Sequence, residues 1–129
     1  DSYQFHGTVP SKEMADWAPS FLPEGYTESK RTDLGTLVEI TYDCKDLDMW
    51  ITFSYLRLAE GSGFDLDNEH HVVTEISVQG MDGYLYTASE DKLNAVVWFN
   101  ETLRYGFLLS SRLPPDTLLE IAESVNTKS

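Results

Sequence analysis

Basic residues are scarce in this chain: nine Lys and Arg stand against 22 Asp and Glu, a formal charge of −13 over 129 residues. Such an excess repels a phosphate backbone, which argues against nucleic-acid binding through a basic face. It also disfavours anionic membrane surfaces. Long apolar runs are missing, since no stretch reaches the roughly 18 apolar residues that mark a transmembrane helix. Cysteine is nearly absent. Cys44 alone allows no internal disulfide, so nothing covalent staples the fold. That scarcity suits a reducing compartment equally well as a bacterial surface protein without disulfides. The chain opens on Asp1 rather than Met, so the natural start is expected upstream. There is no internal repeat and no low-complexity tract.

What is present makes a core. The composition is 41% hydrophobic and 12% aromatic, too apolar for a disordered acidic chain. Residues 1–129 are expected to form one domain that buries roughly two thirds of its unfolded surface. Tyr3 and Phe5 alternate as in a short edge strand. Ser11 is placed to cap a short helical turn through Trp17, which Pro19 and Pro23 limit. Leu22-Pro23-Glu24-Gly25-Tyr26 reads as a turn.

From Tyr26 the pattern has period two. Val38, Ile40 and Tyr42 alternate with Glu39, Thr41 and Asp43, and Met49, Ile51, Phe53 and Tyr55 alternate with Trp50, Thr52 and Ser54. Val72 to Val78, Tyr84 with Tyr86, Val97 with Phe99, and Leu103 to Leu109 continue the series. Turn signals at Asp43 to Asp46, Gly61-Ser62-Gly63, Gly80 to Gly83 and Asn100-Glu101-Thr102 separate these runs. Short connections favour antiparallel neighbours. The expected fold is therefore α+β: a single curved antiparallel meander sheet of about six or seven strands. After it, Pro114-Pro115-Asp116 signals a helix start, and Leu118, Ile121, Ala122 and Val125 fall on one stripe of a C-terminal amphipathic helix. Leu119 widens the stripe and Asn126 reads as the stop. Both helical pieces are expected to pack on the sheet.

The residues that resemble a reaction centre fail on geometry. His70-His71 follows Asp65, Asp67 and Glu69, yet adjacent strand residues point to opposite faces and His6 is distant in sequence. The same acidic segment lacks the central Gly and terminal Glu of a calcium loop, with His70 and Ile76 in their places. Cys44 lies between Asp43 and Asp46, which suppress a thiolate. Gly61-Ser62-Gly63 lacks the spacing of a nucleophile elbow. Asn100-Glu101-Thr102 matches a glycosylation sequon, but a turn explains its Asn. No catalytic residue, no metal and no cofactor is expected. A small hydrolase or metal-dependent enzyme using residues 65–71 is the alternative.

The three Trp, seven Tyr and six Phe belong mostly in the core and in cross-strand pairs. Aromatics on both faces of a sheet with only one substantial helix leave one face partly bare. An apolar groove bordered by Trp50, Trp98 and Trp17 and rimmed by acids is therefore expected as a ligand or partner site.

Several segments together carry a resemblance. Leu22-Pro23-Glu24-Gly25-Tyr26, Val38-Glu39-Ile40-Thr41-Tyr42 and Val78-Gln79-Gly80-Met81-Asp82-Gly83-Tyr84 come first. Val97-Trp98-Phe99-Asn100, Leu103-Arg104-Tyr105-Gly106-Phe107 and Leu118 to Val125 follow in order. Over about residues 17–126 the chain resembles domain-of-unknown-function family 4367, found mainly in Firmicutes. The resemblance implies a curved antiparallel sheet packed by helices, lying outside the cytoplasm after a transmembrane helix. It implies an extracytoplasmic sensing or interaction module of a membrane-anchored, anti-sigma-factor-like protein of the cell envelope, anchored upstream of Asp1. Its partner is expected to be a protein, a peptide or an apolar ligand. The family brings no catalytic residues. A purely structural domain of an envelope protein is the other alternative.

Overall fold

Alternating apolar and polar residues bury one face of a strand, and the computed structural model places a strand on every such run. It describes residues 4–8, 14–35, 37–65, 71–88 and 93–127. The first strands are β1 (Gln4–Thr8), β2 (Trp17–Pro19), β3 (Tyr26–Asp33), β4 (Leu37–Cys44) and β5 (Met49–Asp65). Next come β6 (His71–Val78), β7 (Met81–Ala88), β8 (Asn94–Asn100) and β9 (Tyr105–Ser111). The helix α1 (Pro115–Glu123) and a last strand β10 (Val125–Thr127) close the chain.

Seven antiparallel strands make one open sheet in the order β3-β4-β5-β9-β8-β7-β6, and β1 pairs with the far half of β5. The α+β architecture and strand number match the expectation. The meander holds within each of two arms, β3-β4-β5 and β6-β7-β8-β9, joined where β9 lies beside β5. Short turns determine only the neighbours inside a hairpin, so they say nothing of which strand meets β5 across the longer connection.

Two turn assignments shift. Gly61-Ser62-Gly63 stays extended within β5, with Gly63 opposite His6 of β1, because pairing there overrides the glycine signal. The β6–β7 turn is the two residues Gln79 and Gly80, both at positive φ (53° and 81°), as a type I′ hairpin requires. Gly83 sits inside β7 opposite Trp98, where a Cβ would stand 2.5 Å from the Val97 carbonyl and 2.9 Å from the Trp98 Cβ. Its missing side chain lets β7 and β8 approach closely at Trp98.

One face of the sheet carries the main core. Phe53, Phe107 and Trp98 stack across β5, β9 and β8, at 6.3 Å and 11° and at 5.1 Å and 17°. Trp17 meets Phe107 edge-on at 4.9 Å. Ile40, Ile51, Val96 and Leu109 fill the same layer, all fully enclosed. Val38, Tyr42 and Tyr26 extend it under β3 and β4.

The helix covers this face over β8 and β9. Pro115 fits its first turn and Asp116 complements the N-terminal dipole. Leu118, Ile121 and Ala122 are fully buried, while Glu120 and Glu123 are exposed, as the stripe predicts. Val125 is also buried but belongs to β10, because the helix ends two residues earlier than the stripe implies. The Ser124 hydroxyl donates to the Ile121 carbonyl at 2.6 Å and terminates the helix before Asn126. Beyond it β10 pairs with β2, Thr127 opposite Trp17. The expected N-terminal helical turn is corrected here: residues 14–16 have no regular structure and Trp17–Pro19 is a strand, recruited by β10. Ser11 lies outside the described residues.

Gln79 fastens the β6–β7 turn to the end of the helix. Its side-chain amide donates to the carbonyls of Ala122, Glu123 and Val125 at 3.2, 3.1 and 2.7 Å. Its backbone N–H donates to the Glu123 carboxylate at 3.0 and 3.1 Å. One side chain thus satisfies carbonyls that every helix end leaves without partners.

Three tests follow from this packing. Ile121→Asp puts an unpaired charge in the core and is expected to cost more than about 3 kcal/mol, lowering the thermal midpoint by roughly 10 °C or more; an unchanged midpoint refutes the docking. Gln79→Ala keeps the backbone bond to Glu123 but strands the helix carbonyls, an expected loss of about 1–3 kcal/mol in denaturant unfolding. Tyr42 tests the β3–β4 side. Burial first, and then the Glu28 carboxylate, push its hydroxyl from 10.0 to about 12. A raised phenol stabilises the fold below pH 10.0 and loses that contribution as pH climbs towards 12. Tyr42→Phe should flatten the alkaline decline of stability between those values, measured by denaturant titration at stepped pH.

Candidate functional site

The expected aromatic border divides sharply. Trp98 is fully enclosed and Trp17 is buried, both inside the stacked core, so neither lines a surface groove. The Phe53 and Phe107 rings beside it and the helix α1 over β8 enclose Trp98, and the β2–β10 ribbon holds Trp17 down on Phe107. Trp50 alone stays exposed, at 40%. The Arg112 guanidinium lies over its ring, 5.7 Å from the centroid, which gives the exposed indole a structural partner.

The second face of the sheet is better covered than one helix would allow. Ala95, Val97, Leu108 and Leu56 are 5% exposed or less, and Tyr86 and Phe99 pack against the first three. Burial, and then neighbouring Tyr84, hold the Tyr86 phenol above its ordinary value. The bare region lies further out, where β6, β7 and β8 reach their turns.

There a cleft of about 770 Å³ opens between the β6–β7 turn and the β8–β9 turn. Its walls include Met81, Tyr84, Phe99 and Leu103, and Asp82 and Glu101 supply the acids. Tyr84 projects from the second face between Glu75 and Val97 and is 38% exposed. Leu103 stands 50% exposed on the turn. The wall is pre-shaped: the Asn100 side chain accepts the Leu103 N–H at 2.9 Å, and Arg104 turns the chain at φ 62°. The sequon asparagine therefore serves its turn. Gln79 anchors the opposite wall to the helix. Such a surface can grip an apolar or aromatic group and hold a positive charge at its rim.

This cleft was missed by sequence reasoning because it depends on which hairpins end side by side. Gly80 and the Asn100-Glu101-Thr102 turn were the available signals. Trp50 lies at the other end of the sheet, near a shallow depression of about 290 Å³ that Asp43, Lys45 and Asp48 help to line. The aromatics expected together are thus held apart.

The rival acidic segment contributes no geometry. Residues 66–70, with Asp67, Glu69 and His70, lie outside the described residues, and Asp65 and His71 end strands β5 and β6. Among the described residues, no three His, Cys, Asp or Glu side chains converge on a point that could hold a metal. Cys44 is buried as a free thiol against Gly25, whose Cβ would stand 3.1 Å from the sulfur. No described helix is long and apolar enough to cross a membrane.

No curated protein matches the chain. A family model does, over residues 16–125, from the residue before β2 to the first residue of β10. That span takes in the stacked core, the Gln79 clamp and both walls of the cleft, and the chain belongs to the family described as domain of unknown function DUF4367.

Proposed function

We propose that this domain is a non-enzymatic extracytoplasmic sensing or interaction module of a membrane-anchored bacterial protein, with a regulatory, anti-sigma-like role. The observation that carries the binding reading is the cleft at the turn end of β6 to β9. Its lining is about half apolar, with Tyr84, Phe99 and Leu103, and half polar, with Asp82 and Glu101 among the polar residues. Exposed apolar surface with a polar rim marks an interaction site more often than a structural accident. The extracytoplasmic, membrane-anchored setting is supported by what the family resemblance implies.

Charge narrows the partner. At −13 the domain disfavours acidic partners, and the acids at the cleft favour a basic or neutral protein, peptide or apolar ligand. Attraction of this kind weakens as salt rises, because exposed charges are screened within about 10 Å at 0.1 M.

A photo-crosslinking residue placed at Leu103 in the living bacterium should give one discrete adduct. The same residue at Leu47, 60% exposed at the opposite end of the sheet, should give none. Reversing the rim with Asp82→Lys and Glu101→Lys should abolish the Leu103 adduct. Equal products from both positions, or none from Leu103, sink the reading.

A further inference from the structure

Among the described residues, the seven-strand path of the sheet ends on β3 and on β6, and these two edges are built differently. The β3 edge is protected: Thr27 to Asp33 is polar throughout, and its register slips between Glu28 and Lys30. Glu28 and Arg31 pair at 3.3 Å, and the Ser29 hydroxyl donates to the Thr41 carbonyl. A bulge and charges of both signs are how edge strands avoid pairing with other chains. Among the described residues the β6 edge has neither device. Its register with β7 runs unbroken from His71 opposite Ala88 to Val78 opposite Met81. Val72 is 68% exposed and Val73 42%.

The register shows which main-chain groups are free to accept a strand. A type I′ turn over Gln79 and Gly80 closes with Val78 and Met81 as a doubly hydrogen-bonded pair. Alternation then turns the N–H and C=O groups of Ser77, Glu75 and Val73 away from β7, outward from the sheet. Their side chains share the second face with Asp82 and Tyr84, their cross-strand neighbours or the next residues along. Val72, Thr74 and Ile76 present the other face, where Ile76 already packs on the core.

We propose that β6 is a strand-acceptor edge whose occupant is an extended peptide alternating basic and apolar residues. The inference rests on the interaction-module reading and names its partner class. Main-chain bonds to Val73, Glu75 and Ser77 supply the pairing. The basic residues of the added strand lie on the face of Glu75 and Asp82, and its apolar residues extend the face of Val72 and Ile76. A second copy of this chain is the poorer occupant, since it would bring another −13 charges to the same edge.

The test titrates the full chain with a blocked peptide the length of β6 alternating Lys and Val, followed by amide chemical shifts. Saturable shifts are expected at Val73, Glu75, Ser77 and across β7, with none at Lys30 to Thr32 on the protected edge. A peptide alternating Glu and Val should bind at least about tenfold more weakly. Glu75→Lys, at an exposed position that leaves folding intact, should weaken the Lys–Val peptide about fivefold. Val73→Pro removes only an outward N–H and should abolish binding, with an unchanged spectrum elsewhere as its control. Absence of saturable binding, equal affinity for both peptides, or a concentration-dependent dimer through β6 overturns the inference. Shifts confined to Tyr84, Phe99 and Leu103 overturn it too, yet leave the cleft as a binding site; loss of the Leu103 crosslink is the separate failure of that reading.

Discussion

Everything else in this fold is arranged around three stacked rings, Phe53, Phe107 and Trp98, on the strands where its two arms meet. The β5–β9 ladder and this stack join the arms. Large rings bury the most apolar area per residue and prefer offset or edge contacts, both of which occur here. Their size sets the demands on the neighbours. β7 approaches β8 closely at Trp98 because Gly83 has no side chain, and Trp17 closes the stack because β10 holds β2 in place. The indole N–H groups of Trp17 and Trp98 and the Tyr26 hydroxyl are buried, with no hydrogen-bond partner among the described residues.

The terminal segments matter for the same reason. The sheet leaves its aromatic face open, and α1, β2 and β10 close it as a unit. Ser124 ends the helix and also receives the N-terminal strand's connection: Ser20 donates to its carbonyl and the Phe21 N–H to its hydroxyl. Thus the residue that stops the helix also seats the strand carrying Trp17. The match to the family runs across this closure, from residue 16 to residue 125.

Much of this was legible in the sequence, and the limits have physical causes. Period-two runs located the strands because alternation reports burial directly. Leu118, Ile121 and Ala122 located the helix for the equivalent reason at period 3.6. Strand order escaped, since no local signal says that β9 rather than β6 lies beside β5. The same gap hid the site: the cleft exists because the β6–β7 and β8–β9 turns end at one corner. Trp17 and Trp98 are expected at a groove because residue type reports ring size and polarity, not which rings and which helix pack over them. Gly83, which reads as part of a turn, instead marks the close approach of β7 to β8.

The β6–β7 hairpin then acquires a double role. It forms a wall of the cleft and carries the unprotected edge, yet it hangs at the end of the sheet, where a hairpin alone would be marginal. Gln79 changes that by spending its amide on the helix carbonyls and its N–H on Glu123. A hairpin fixed in this way holds Val73, Glu75 and Ser77 in extended conformation, as the proposed strand pairing requires. Preorganised backbone spares a binding strand part of the ordering entropy that association otherwise costs. The same positive-φ turn that sets the β6 register therefore decides which main-chain groups face outward, and the clamp on that turn keeps them there.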